Sequence, residues 1–247
     1  MIPRKLFRDR VDGGLQLAAR LRSYCRSSPV IVALARGGVP VAYEVAKAFG
    51  TQLSVCFVGK VGAPTRPELG IGAVAEDGPV YIDDRTVKLL GISDEELASL
   101  VARKRLEVEE RVRTFRRGTP PLDLRGRTVI VIDDGIATGV SARAALQTLR
   151  ARGATRIALA APVGALDSLE ELELLVDEVV CLRTAEALYT VDPWYEDFRP
   201  TTDDDVVELF ERARAQHERC ERRVSERVRT RVDEYMPRGG KASRDCP

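Results

Sequence analysis

Short runs of apolar, largely β-branched residues alternate along the chain with segments whose apolar positions recur every three or four residues. The first kind predicts strands buried on both faces, at Val30–Ala35, residues 53–58, Thr128–Ile132, residues 156–163 and residues 178–182. The second predicts helices over residues 6–26, where Val11, Leu15, Ala18 and Leu21 share a face, and over residues 41–49, 140–152 and 165–175. Ser93 and Glu96 form a capping box ahead of Leu97, Leu100, Val101, Val108 and Val112, a helix that should reach about Arg116. Residues 71–74 and 79–82 read as a hairpin turning at Glu76-Asp77-Gly78. Strands alternating with helices imply an α/β fold with a doubly wound, mostly parallel sheet and right-handed crossovers. Ligands of such sheets bind at the carboxyl ends of the strands.

Two stretches break the pattern. Residues 59–70 hold Gly59, Gly62 and Gly70 with Pro64 and Pro67, and read as a mobile loop carrying Lys60 and Arg66. Residues 203–232 are charged, with Val206, Leu209 and Phe210 as the only strong apolar cluster. A first helical turn should dock there, fray from Arg212 onward and give way to a disordered tail over residues 237–247. One domain is therefore expected over residues 1–210, followed by a charged helical extension and flexible tail over residues 211–247.

Composition narrows the function. A hydrophobic content of 44% in 247 residues is enough for a sizeable core. The formal net charge of +1 gives no global case for nucleic acid or an anionic membrane, so partners must be argued locally. The long helix up to Arg116 mixes charge signs and reads as solvated. Five cysteines without C-x-x-C spacing and a single histidine, His217, argue against structural zinc and for a reducing compartment. The opening residues are charged and no apolar run approaches membrane-spanning length, so the cytoplasm is the expected location.

Chemistry concentrates after two strands. Asp133 and Asp134 close Thr128–Ile132, and Gly135, Ile136, Ala137, Thr138 and Gly139 turn the chain into the next helix. Unpaired N–H groups and the positive helix end converge there, Gly139 permits close approach, and Thr138 and Ser141 add hydroxyl donors, a setting for phosphate. Paired carboxylates accept bonds from vicinal hydroxyls, so the two halves together describe a ribose 5-phosphate. Neither a Walker pattern nor G-x-G-x-x-G after a strand is present, and simple helix capping would need only one acid. Val30–Ala35 likewise runs into Arg36-Gly37-Gly38-Val39-Pro40, where backbone amides and the Arg36 fork suit a second anion. Residues 188–198 contain the only tryptophan and four aromatics; they either stack on a planar acceptor or fill a core or interface.

The apolar strand, the acid pair and the loop ending Thr138-Gly139 resemble the phosphoribosyl pyrophosphate (PRPP) motif of the type I phosphoribosyltransferases. The resemblance implies a Mg²⁺-dependent enzyme that moves the 5-phosphoribosyl group from PRPP to a nitrogenous, base-like acceptor and releases pyrophosphate. Asp133, Asp134, Arg36 and Lys60 would then be its catalytic set, with both aspartates facing Mg²⁺ through water. Residues 135–139 and Ser141 would hold the 5-phosphate. Ala35, Arg36, Gly37 and Gly38, joined by Lys60 and Arg66 from a closing cover, would hold the pyrophosphate. Such enzymes commonly place a cis non-proline peptide in that loop, which points to the Ala35-Arg36 bond. A small C-terminal hood over about residues 184–205 would bring Trp194, Tyr195 and Phe198 to the acceptor. A homodimer is implied, with no nucleic acid or membrane partner.

Ala137 stands where the 6-oxopurine salvage enzymes carry an aspartate for the base's ring proton, and a methyl group does no acid–base work. Over about residues 5–210 the chain is most similar to bacterial phosphoribosyltransferase-domain proteins of unassigned acceptor. It departs from them with Ala35 where proline is usual and Gly59 where arginine is usual. The alternative is a non-catalytic regulator that senses PRPP or a nucleotide on the same fold, although no helix-turn-helix or basic stripe precedes the domain. A third reading is a structural subunit assembled through the aromatic cluster.

Overall fold

In the computed structural model, which describes residues 5–77, 80–116, 121–186 and 188–235, five apolar runs lie side by side as parallel strands. They are β1 (Val30–Ala35), β2 (Leu53–Ala63), β5 (Thr128–Ile132), β6 (Arg156–Ala165) and β7 (Glu178–Ala185). β3 (Arg66–Ala75) and β4 (Val80–Ile82) add antiparallel to β2, giving one sheet in the order β4-β3-β2-β1-β5-β6-β7. The expected doubly wound, mostly parallel sheet is thus present. Alternate residues of the central strands feed opposite faces, as a period of two requires. Ile31, Ala33, Ile130 and Ile132 pack under α1 (Arg10–Arg20) and α2 (Gly38–Phe49). Val30, Val32, Val129 and Val131 pack under α5 (Val140–Ala151) and α6 (Leu166–Glu173).

Local chemistry sets the helix bounds. Residues 6–26 are not one helix, because the Asp9 carboxylate caps α1 by accepting from the Asp12 N–H at 2.8 Å. Before the cap, Phe7 bridges to Tyr195, and after Leu21 the chain tightens into a 3-10 turn. α2 starts at Gly38, earlier than its apolar period suggests, since Pro40 falls in its first turn where no amide is needed. The short α3 (Asp84–Leu89) was not expected. Asp83 caps it through the amides of Arg85 and Thr86.

The expected mobile loop over residues 59–70 is instead a β-arm. β2 continues to Ala63, turns at Pro64-Thr65 and returns as β3. Val61, Ala63 and Ile71 form a small core with Leu69, Leu97, Leu100 and Val101, the last three from α4 (Asp94–Arg116). The helix therefore supplies the burial that glycine and proline content hid. Gly59 is where it seats: a Cβ there would lie 2.6 Å from the Lys104 side chain and 2.7 Å from that of Val108. The expected hairpin is present, with Val74 opposite Val80, while Gly78 and Pro79 at its turn lie outside the described residues.

At the foot of the arm Glu76 is buried between Arg116 of α4, at 2.6 Å, and Arg152 just past α5, at 3.2 Å. Burial, and secondarily Glu76, pushes the neighbouring Cys56 thiol up to about 12.

The C-terminal helix α7 (Asp203–Tyr235) docks further than its first turn. Val206, Leu209 and Phe210 join the core, Ala213 is buried, and the His217 ring sits 3.1 Å from the Gly50 carbonyl beyond α2. A Cβ at Gly50 would lie 3.1 Å from the Cys220 sulfur, so contact persists to Cys220. Docking thus continues past Arg212, where fraying was expected, and the expected tail over residues 237–247 lies outside the described residues. Among the described residues no helix is long and apolar enough to cross a membrane.

Candidate active site

The carboxyl ends of β1 and β5 are neighbours in the sheet, so the two glycine-bearing loops that follow them meet. They meet without intervening space. A Cβ on Gly37 would fall 2.2 Å from Asp134 Oδ2, and one on Gly38 would fall 2.5 Å from the Ile132 carbonyl and 3.2 Å from Asp133 Oδ1. Only glycine lets the first loop lie on the acid pair. The Ala35-Arg36 peptide is cis.

The two aspartates have different surroundings. Asp133 is half-buried, and its Oδ1 accepts the Asp134 N–H at 2.9 Å. Loss of water around it, then the Asp134 charge, raises its carboxyl well above the usual aspartate range. Asp134 is buried and held at two of its oxygens. Its Oδ2 accepts from Arg10 Nε at 2.7 Å and its carbonyl accepts from the Tyr195 hydroxyl at 2.6 Å. Burial pushes that phenol far above its ordinary range.

In the loop from Gly135 to Gly139, the Ile136 N–H donates to the Val163 carbonyl at 2.9 Å and the Ile136 carbonyl accepts from Ala165 at 2.8 Å. Ile136 therefore anchors the loop to β6, with its amide already paired. The Ala137 carbonyl is tied by Ser168 of α6 at 2.6 Å. Gly139 has φ +70° beside Leu172, which turns the chain into α5. The first-turn amides of α5 have no acceptor within the helix. Thr138 is exposed and Ser141 half-buried beside them.

Arg36 is exposed at the end of β1, and its nearest acid is Asp203 at the start of α7, 3.8 Å away. Lys60 is on β2, and its stem converges with Val140 on Gly70, where a Cβ would lie 2.5 Å from Lys60 Cε and 3.1 Å from Val140 Cγ2. Lys60 thus approaches the start of α5. Arg66 opens β3 at the exposed tip of the arm and is not brought to the loops.

The aromatic segment divides. Tyr195 is 2% exposed, between Phe7 at 5.4 Å and Phe198 at 5.1 Å between ring centroids. The Arg10 guanidinium lies 3.7 Å over the Phe198 ring. Both rings hold Asp134 and its partner in place, which leaves Trp194, half-buried in one cluster with Val163, Leu188 and Ala137. Tyr189, which the sequence did not single out, is 90% exposed in the same segment. Arg10 was also missed: a lone arginine opening an amphipathic helix reads as solvated.

As to a cation, no cluster of three His, Cys, Asp or Glu side chains is assembled among the described residues. One or two carboxylates beside phosphate sites are the donor set Mg²⁺ takes when substrate oxygens and water complete its shell. The half-buried Asp133 carboxylate fits that part.

The phosphoribosyl transferase domain family matches residues 11–192 of this chain. Two curated proteins of Mycobacterium tuberculosis, from strains CDC 1551 / Oshkosh and ATCC 25618 / H37Rv, carry provisional phosphoribosyl transferase names. Each is 42% identical over 209 residues, covering 85% of this chain and 47% of its own. This chain thus spans about half the length of those relatives. The crystal structure of the protein TT1426 from Thermus thermophilus superposes with a TM-score of 0.68 at 37% identity, over 83% of this chain and 97% of that one.

Proposed function

Because the chain belongs to the phosphoribosyl transferase domain family, we propose that it transfers the 5-phosphoribosyl group of PRPP to a nitrogenous, planar acceptor and releases pyrophosphate. One observation carries the reading: Gly37 and Gly38 of one anion loop lie directly on Asp134 and Asp133, which open the other. A sugar held by the acid pair then has its 5-phosphate at the start of α5 and its anomeric pyrophosphate at Arg36.

In this reading the amides of residues 137–141, with the Thr138 and Ser141 hydroxyls, bind the 5-phosphate, while Ile136 anchors their loop. The acid pair takes the ribose hydroxyls. Arg36 and the amides of Gly37 and Gly38 receive the departing pyrophosphate, and Lys60, held on the arm, adds positive charge from the other side. Asp133 would hold Mg²⁺, which would supply further neutralisation of the leaving group. No protein nucleophile is required, since positioning and charge stabilisation suffice for loss of pyrophosphate from an oxocarbenium-like centre. Trp194, which shares an apolar cluster with Ala137, is the ring assigned to the acceptor. Ala137 supplies no proton chemistry, which disfavours hypoxanthine and guanine.

The test is pyrophosphate release from PRPP and Mg²⁺ across a panel of bases and small nitrogenous acceptors. Turnover with at least one acceptor, and hypoxanthine slower by about 10²-fold or more, is expected. No release with any acceptor, together with no PRPP binding, would remove the proposal.

A further inference from the structure

Arg10 is the buried cation of this site, its side chain 10% exposed on the first turn of α1. It makes three contacts at once. Nε donates to Asp134 Oδ2 at 2.7 Å, Nη1 donates to the Arg199 carbonyl at 2.8 Å, and the guanidinium plane covers Phe198 at 3.7 Å. The same aspartate is held by Tyr195 through its carbonyl and pressed by Gly37 at the same Oδ2. A buried carboxylate without such a partner would be costly, and would repel both Asp133 and incoming phosphates.

Resting on the transferase reading above, we propose that Arg10 is a positioning residue of the sugar site. It withdraws Asp134 Oδ2 from ligand contact and ties that aspartate to the chain after β7. Asp133 and the remaining Oδ1 of Asp134 are then the acceptors that meet the ribose hydroxyls. A planar fork is needed, because one side chain must reach a carboxylate and a carbonyl while stacking on a ring. Lysine can satisfy only part of this.

Calorimetry on the full chain with PRPP, ribose 5-phosphate and inorganic pyrophosphate tests the assignment. Arg10→Met should weaken PRPP and ribose 5-phosphate about tenfold or more while pyrophosphate, seated at Arg36, changes by less than about twofold, and Arg10→Lys should fall between. In an Asp134→Asn background, Arg10→Met should cost much less, because the charge it pairs with is already lost. Equal weakening of all three ligands, or an undiminished effect in that background, would overturn the inference. If Arg10→Met alone does not fold, the double variant leaves no lone buried charge, and its comparison with Asp134→Asn decides the same question. Wild-type protein that binds no PRPP would overturn the transferase reading and this inference together, whereas wild-type binding left intact by Arg10→Met would overturn the inference alone.

Discussion

Gly37 has no room for a methyl group, because the nearest atom to its missing Cβ is Asp134 Oδ2 at 2.2 Å. Gly37→Ala must displace either the acid pair or the loop carrying Arg36, while the strands beneath are untouched. The expected outcome is a folded protein, by far-UV circular dichroism, whose PRPP affinity falls about tenfold or more in calorimetry, consistent with loss of at least one charge-assisted contact. Unchanged affinity would mean that the two loops do not share a ligand. The residues of this contact were legible in the sequence, since a carboxylate pair and glycines after apolar strands carry their own chemistry. Arg10 and Asp203 were not, because each acquires its meaning from a partner distant in sequence, Asp134 and Arg36 respectively.

Asp177, just ahead of β7, joins three elements. Its carboxylate accepts from the Ile157 N–H of β6 at 2.7 Å and from Arg150 of α5 at 2.7 Å. The Ile157 bond is the largest cause holding its carboxyl below the usual range. A depressed folded-state value means stability that is present above the unfolded aspartate range and is lost as pH falls through the folded value. Asp177→Asn should therefore cost about 1 kcal/mol at neutral pH, a figure reduced for the part-exposed side chain, and the gap should close as pH drops below about 4. Urea melts at the two pH values check this, and a gap that persists in acid would assign the effect to shape rather than charge. Strands of this kind were readable because apolar β-branched runs need no partner to be recognised. The arm of β2 and β3 was not: the alternation of Val61, Ala63, Leu69 and Ile71 is interrupted by Gly62 and Pro67, and its cover is α4, which the local pattern cannot reveal. The docked length of α7 was hidden for a similar reason, as Ala213, His217 and Cys220 present small or polar groups to α2 instead of an apolar stripe.

Across the whole molecule, α7 closes the face that α1 and α2 begin, with Phe210 stacked edge-on against Phe115 at 4.9 Å and Val206 fully enclosed. Ending the chain after residue 202 should cost about 4 kcal/mol or more from uncovered apolar side chains. Ending it after Cys220 should leave the unfolding free energy within about 0.5 kcal/mol of the full chain. Equal stability of the two truncations would show that the docked turns are dispensable. The strand order also governs what happens when copies of the protein crowd together. A bare sheet margin is a template on which another chain can zip up. Here one margin is β4, only three residues long, and the other is β7, whose rim exposes Glu178, Arg183 and Thr184. Neither side offers a long uncharged edge, so colliding molecules find little backbone to recruit, and the sheet is guarded against growing into an aggregate from either end.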